Sequence, residues 1–378
     1  MKSNIVNIIG GGYAGGEAAL TLSSYGVEVH LFDIYSPFEN QIAVNENTKK
    51  LFRELQALGS ASCALADDNL VDLRLKMREN LEKDAKINIF NGKIGEISLN
   101  EPTIIATGSN TSDEFFSQIE NIVGKNRAYK WQPIFPVFGN LKLIKQNEQY
   151  FLPVKEEQVK EAQQFLKNFS CEEDCIEKWA ACGAQLLKAK AFKPAVIDGK
   201  IFPACLKFKK TEEGFVLQNF QTKMPSEQQQ KLFNIFDGLK EAQVIKFGDM
   251  QKCTFISPAS CINIHLQSQS YSNIFFAGRL ILVGGELEAI ATGHLAALNV
   301  LNMIEGRGLV KYPAGTICGN IIAKLFSLQG FKQEQIDLNY DIIKDVNQSQ
   351  AINKLTKFKE EFNARVSWHN HLCSQKRW

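Results

Sequence analysis

The sequence predicts an α/β protein: a Rossmann-type domain interrupted by an inserted α+β domain and closed by a helical C-terminal tail. Three observations predict it. A short apolar run at residues 5–9 leads straight into a glycine turn and then a helix. Two much later apolar runs, Thr103–Gly108 and Asn273–Gly278, each close on a glycine. Between them the composition changes to a Lys-, Gln-, Glu- and Phe-rich stretch.

Ile5 to Ile9 reads as a strand because it is short, apolar and rich in β-branched residues. Gly10, Gly12 and Gly15 follow as G-x-G-x-x-G, with Tyr13 and Ala14 inside the pattern. The first glycine makes the tight turn, the second lets the backbone approach a pyrophosphate, and the third lets helix pack on strand. The helix is expected over Glu17–Ser24, its N-terminus facing the pyrophosphate. A second strand, Val27–Phe32, ends at Asp33, 18 residues after Gly15, where a ribose-binding acid belongs. An acid there disfavours a 2′-phosphate, so the pattern points to FAD or NAD.

The later segments favour FAD. Ala106-Thr107-Gly108 ends one strand and Gly278 ends another, letting the chain pass close to a flavin. Glu288 to Gly293 then opens a helix expected over His294–Ile304, whose N-terminus would point at the isoalloxazine. Domain boundaries follow from composition: 1–110 with 245–378 form the discontinuous FAD-binding domain, and 111–244 the insertion. The insertion shows helical periodicity at Glu156–Asn168 and Glu227–Leu239 and a strand-like Phe215–Phe220. The tail after about 331 is polar and helical.

Forty-three basic residues against 41 acidic ones give a net charge of +2, which excludes a bulk polyanion binder. Nine irregularly spaced cysteines do not form a disulfide framework, so a reducing cytoplasm is expected. The longest apolar stretch, Ile274–Val283, is interrupted by Gly278 and Arg279 and falls short of the ~20 residues of a membrane span, so no membrane is expected.

Gly10-Gly-Gly-Tyr-Ala-Gly-Gly-Glu-Ala-Ala19 resembles the opening of the TrmFO family, FAD- and folate-dependent RNA uridine-C5 methyltransferases related to GidA-type flavoproteins. Ala106-Thr-Gly-Ser-Asn-Thr-Ser-Asp113, Gln221-Thr-Lys223, Gly238-Leu239, Phe247-Gly248, Met250, Thr254-Phe-Ile256, Asn273–Gly278, Glu288 and Ala291-Thr-Gly293 match in order, with Lys193-Pro194 as a further short motif. The resemblance spans nearly the whole chain. It implies FAD held by Gly10, Gly12, Tyr13, Ala14, Gly15, Asp33, Ala106, Thr107, Gly108, Gly278, Arg279, Gly285, Glu288, Ala291, Thr292 and Gly293. It also implies methylenetetrahydrofolate as one-carbon donor, NADH or NADPH as reductant, and tRNA or rRNA as partner. A cysteine thiolate would add to uridine C6, and a base would remove the C5 proton.

The sequence departs from that pattern around the chemistry. The family's Cys-Ser-Asn-Ser after the second strand is missing from Asp33–Asn47, and the first cysteine of the chain is Cys63. The second family cysteine aligns with Glu173, between Cys171 and Cys175. The family's His-Arg-Asn appears as Gln251-Lys252-Cys253, and its Gly-Val-Glu-Gly-Tyr as Leu282-Val-Gly-Gly-Glu286. Cys171, Cys175 and Cys253 are therefore the candidate nucleophiles. The alternative is a shortened, diverged paralog, RlmFO-like or cysteine-lacking: a folate- and NAD(P)H-dependent flavin oxidoreductase without RNA methylation. Arg279 stands where the family has a neutral residue. It would stabilise reduced flavin, hold a carboxylate, or pair with Glu286 or Glu288. Lys207, Lys209, Lys210 and Lys223 form either an RNA- or folate-binding face or a solvated strand. His294 is a cofactor contact or an ordinary helix residue. No metal site is expected, since Cys171, Cys175 and Cys182 match no ligand spacing. The oligomeric state, the particular RNA and the choice of nicotinamide nucleotide are left open.

Overall fold

The fold was analysed in a computed structural model. It describes residues 5–33, 42, 44–66, 70, 72–92, 96–125, 127–146, 149–167, 195–327 except 198, 203, 212, 219 and 221, and 340–375. The chain divides into two compact units, Met1–Lys130 with Cys253–Trp378, and Trp131–Lys252.

The first unit is built on a parallel sheet of β1 (Ile5–Ile9), β2 (Glu28–Asp33), β3 (Ile87–Asn91), β4 (Thr103–Ile105) and β15 (Ile274–Phe276), in the order β15-β4-β1-β2-β3. The α/β Rossmann-type fold read from the sequence is the fold found. The chain leaves β1 toward β2 and β3, then returns to place β4 on the other side of β1. This reversal opens a crevice beyond the carboxyl ends of β1 and β4, where ligands bind in such sheets.

Helix α1 (Tyr13–Ser24) starts inside the glycine pattern, four residues before its expected start, because Gly12 takes the N-cap position in an extended conformation. Helices α2 (Glu46–Leu58), α3 (Leu73–Lys83) and α4 (Asp113–Val123) add further cover. Buried Phe115, Phe116, Ile119 and Ile122 tie α4 into the first unit's core. The joints therefore fall at 130/131 and 252/253, not at the expected 110/111 and 244/245.

The second unit carries an antiparallel six-stranded sheet, ordered β13-β6-β12-β11-β8-β7. Its strands are β6 (Val137–Gly139), β7 (Ile144–Gln146), β8 (Gln149–Val154), β11 (Ala204–Lys210), β12 (Phe215–Leu217) and β13 (Gln243–Lys246). Helices α5 (Glu156–Lys167) and α6 (Ser226–Phe233) share its core, centred on Phe138, Phe208 and Phe233. A hairpin of β9 (Ala195–Ile197) and β10 (Lys200–Phe202) completes the unit. Strands β5 (Ala128–Ile134) and β14 (Asp249–Ile256) pair where the chain leaves and re-enters the first unit.

Helix α7 (Glu286–Ile304) is buried from Leu287 through Asn302. Among the described residues it is the one helix long and apolar enough to cross a membrane, and 89% of its most apolar window is buried inside the protein. A helix apolar on all sides is the mark of a central core helix as well as of a membrane span. It begins eight residues before the expected His294, so Glu288–Gly293 lies in its first turns. Gly293 suggested a boundary, but it serves packing within the helix. Helices α8 (Ile317–Ser327) and α9 (Gln348–Gln375) follow.

Candidate functional site

The glycine turn after β1 is fixed by backbone geometry. Gly10 adopts φ +101°, and a Cβ there would stand 2.4 Å from the Ala106 carbonyl oxygen at the end of β4. Its N–H donates to the Phe32 carbonyl at 2.8 Å. A Cβ on Gly15 would stand 1.8 Å from the Gly10 carbonyl oxygen. Gly12 differs: among the described residues, its chain neighbours and its own helix backbone aside, no atom lies within 4 Å of where its Cβ would be. The turn is closed on its protein side and open at the N-terminus of α1, as a cradle for a diphosphate must be.

Asp33, the last residue of β2, is 8% exposed. Its Oδ1 accepts from Gly11 N at 2.9 Å, and Arg78 Nη1 on α3 lies 3.3 Å from Oδ2. Arg78 is held in turn by Glu82, Nε to Oε1 2.6 Å. The acid thus shapes the turn, and each oxygen keeps a lone pair for a ribose hydroxyl. Tyr13 is buried at the start of α1 with the Arg74 guanidinium 5.5 Å from its ring centre. Burial pushes its hydroxyl up to about 12, with Arg74 opposing.

The other side of the crevice comes from β15 and α7. Ala277 N donates to Ile105 O at 3.0 Å, carrying the chain from β15 across the end of β4. Gly278 follows at φ +73°, and a Cβ there would meet the Ala14 side chain at 2.9 Å. Gly278 N donates to Thr292 Oγ1 at 3.0 Å. Gly285 caps α7 in extended backbone, and buried Glu288 folds back over it. Ala291 and Gly293 sit within α7. A Cβ on Gly293 would lie 2.1 Å from the Ala14 carbonyl oxygen, which brings the N-termini of α1 and α7 to one place. Ala106, Thr107 and Gly108, the last at φ +68°, form the adjoining β4 edge.

With both glycine turns and both helix N-termini at the carboxyl edge of the sheet, the chain can be set against known proteins. The model of the family described as glucose inhibited division protein A matches residues 5–76 and 125–308. The chain belongs to this family.

Within it, the chain is similar over most of its length to TrmFO proteins. It is 25% identical to the methylenetetrahydrofolate–tRNA-(uracil-5-)-methyltransferase TrmFO of Bacillus pumilus (strain SAFR-032), with 91% of this chain and 93% of the relative covered. It is 29% identical to that of Sulfurihydrogenibium sp. (strain YO3AOP1), with 84% and 86% covered. The solved GidA structure of Aquifex aeolicus in its form II crystal superposes with a TM-score of 0.55 at 13% identity, covering 99% of this chain and 77% of that one. The TrmFO resemblance carried by the motifs is borne out by these relatives, and the GidA superposition agrees in fold.

Of the three candidate nucleophiles of this GidA-family chain, Cys253 alone lies among the described residues. Cys171 and Cys175 lie outside the described residues, as do Glu173 and Cys182. Cys253 is 7% exposed in a small cluster with Phe255, Leu282 and Tyr129. Burial raises its thiol pKa, against a lowering by nearby Arg279, so at neutral pH it is a thiol, not a thiolate. Arg279 pairs with Glu286, Nη2 to Oε1 3.1 Å, one of the partners expected for it. His294 faces the core: Tyr312 donates its hydroxyl to Ala291 O at 2.8 Å, so its oxygen accepts from His294 Nδ1 at 3.0 Å. Among the described residues no cluster of metal-ligating side chains occurs.

Two residues that shape the site were not read from the sequence as doing so. Glu17 on α1 is fully buried and accepts from Thr21 Oγ1, Ala61 N, Ser62 N and Ser62 Oγ. Its signal was a charged residue among alanines and leucines. Arg78 left no signal, because only the packing of α3 beside α1 and β3 brings it to Asp33.

Proposed function

We propose that the protein is an FAD-dependent, methylenetetrahydrofolate-using methyltransferase acting on a uridine C5 of RNA, tRNA or rRNA, with NADH or NADPH as reductant and the cytoplasm as compartment. The observation that carries this reading is the similarity to TrmFO proteins over about nine-tenths of both chains, joined to a glycine turn with no described side chain against Gly12 at the start of α1. The names of the relatives do not favour the alternative, an oxidoreductase that has abandoned RNA.

The residues divide the work. The N–H groups at the start of α1, reached past Gly12, would hold the diphosphate. Asp33, kept in place by Gly11 and Arg78, would accept from a ribose hydroxyl. The edge from Ala106 to Gly108, Gly278–Arg279 and the start of α7 would border the flavin ring, whose chemistry is to carry the one-carbon unit and then supply hydride. Cys171 and Cys175 are the candidates for attack on uridine C6, since Cys253 is buried as a neutral thiol. Lys207 and Lys209 on one face of β11, with Lys210 on the other, are exposed and suit RNA phosphates. Among the described residues five free cysteines, Cys63, Cys205, Cys253, Cys261 and Cys318, are buried, which agrees with a reducing compartment.

The test is one incubation of the flavin-loaded protein with NAD(P)H, methylenetetrahydrofolate labelled in its one-carbon unit, and undermethylated tRNA and rRNA. Label in RNA is expected. It should vanish in Cys171→Ala or Cys175→Ala and persist in Cys253→Ser. Folate turnover with unlabelled RNA would instead establish the oxidoreductase.

A further inference from the structure

The crevice of the first unit has a charged feature that neither diphosphate nor ribose binding requires. Arg279 follows Gly278 at the end of β15, beside the first turn of α1, and its side chain is 35% exposed. Among the described residues its one ion pair is with Glu286, the first residue of α7. Within electrostatic reach of it is the apolar cluster of Cys253, Phe255, Leu282 and Tyr129, where Tyr129 stacks on Phe255 with ring centres 5.2 Å apart. Arg279 is close enough to Cys253 and to Tyr13 to act electrostatically on both. Leu282, which completes the cluster, holds a left-handed backbone at φ +67°. Only glycine adopts that conformation without penalty, so the fold maintains a strained residue to put an apolar side chain there.

A diphosphate needs backbone N–H groups and no apolar wall, and the start of α1 already serves it. A flat heterocycle that gains negative charge needs both an apolar wall and one nearby cation. We infer that Arg279 is a positioning residue for the flavin ring: its guanidinium, shared with Glu286, stabilises the reduced anionic ring over the oxidised neutral one. This rests on the flavoprotein reading above. The redox balance is simple. A hydride donor gives two electrons and one proton, and the neutral ring becomes an anion carrying one net negative charge. A fixed cation at the ring favours the anion, and Glu286 moderates that effect by drawing on the same guanidinium.

The inference is tested on FAD-loaded protein by equilibrium titration with dithionite against a reference dye, with FAD dissociation measured alongside. Arg279→Gln should lower the equilibrium constant for reduction about tenfold, equal to about 30 mV for a two-electron couple. Glu286→Gln should shift the potential the opposite way, and Arg279→Lys should keep the wild-type value. Unmoved potentials in both glutamine variants would reduce Arg279 to a structural ion pair. A loss of FAD affinity at constant potential would assign it to the diphosphate. Either result overturns the inference and leaves the flavoprotein reading standing. A wild-type protein that takes up no FAD overturns both.

Discussion

Gly293 and Ala14 touch backbone to backbone: a Cβ on Gly293 would stand 2.1 Å from the Ala14 carbonyl oxygen. This contact sets how closely α7 crosses α1, and with it the distance between the two helix N-termini that flank the crevice. The clash is with backbone, so no side-chain rotation relieves it. Gly293→Ala should therefore destabilise the protein by about 2–3 kcal/mol, as overpacking does, and weaken FAD retention by separating the helices. Urea unfolding and flavin release would measure both. Unchanged stability would mean that the helices slide apart freely.

Gly12 and Gly15 make opposite predictions although both belong to one motif. Gly15 has the Gly10 carbonyl oxygen in the way of any side chain, whereas no neighbouring element among the described residues crowds Gly12. Gly15→Ala should impair folding. Gly12→Ala should melt within a degree or two of wild type and yet bind FAD at least tenfold more weakly, because its methyl group occupies the space a diphosphate needs. Thermal melts of the flavin-free proteins and FAD titrations separate the two effects.

How much of this site was legible depends on sequence distance. The G-x-G-x-x-G turn and Asp33 lie within one strand-turn-helix-strand unit, so local pattern revealed them. The bond between Gly11 N and Asp33 follows from that same unit. The start of α7 was misjudged because Gly293 imitates a helix boundary, and only the tertiary contact with Ala14 explains a glycine within a helix. Arg78 and Glu17 act on partners 45 and 44–45 residues away, and no periodicity encodes such contacts. The β5–β14 joints were misplaced for a related reason. The composition changes near residue 110, but the packing of Phe115 and Phe116 keeps α4 in the first unit.

His294 should make stability depend on pH. It is 3% exposed, and burial lowers its pKa from the ordinary 6.5, with Glu17 opposing and Lys359 adding to the fall. The unfolded chain therefore binds a proton that the folded protein resists. The stability contribution is complete above pH 6.5 and is lost as pH falls below it, at up to about 1.4 kcal/mol per unit. His294→Asn keeps a donor toward Tyr312 but does not titrate. Between pH 7 and 5.5 the wild type should lose about 1 kcal/mol more than this variant in urea unfolding. Parallel curves would show that the imidazole is not the responsible group.

Glu17 is surrounded by donors alone: two backbone N–H groups and the hydroxyls of Thr21 and Ser62. A carboxylate, which only accepts, satisfies all of them, whereas an amide turns an NH2 group toward at least one. Glu17→Gln, nearly identical in shape, should thus destabilise by about 2–4 kcal/mol, since a charged acceptor is lost and a buried donor is left unpaired. The effect should extend to the cofactor, because Glu17 ties residues 61 and 62 to the helix whose first turn would face the diphosphate. The expected result is a lower urea midpoint together with faster FAD release. An unchanged midpoint and unchanged FAD release would mean that these four bonds do not anchor α1.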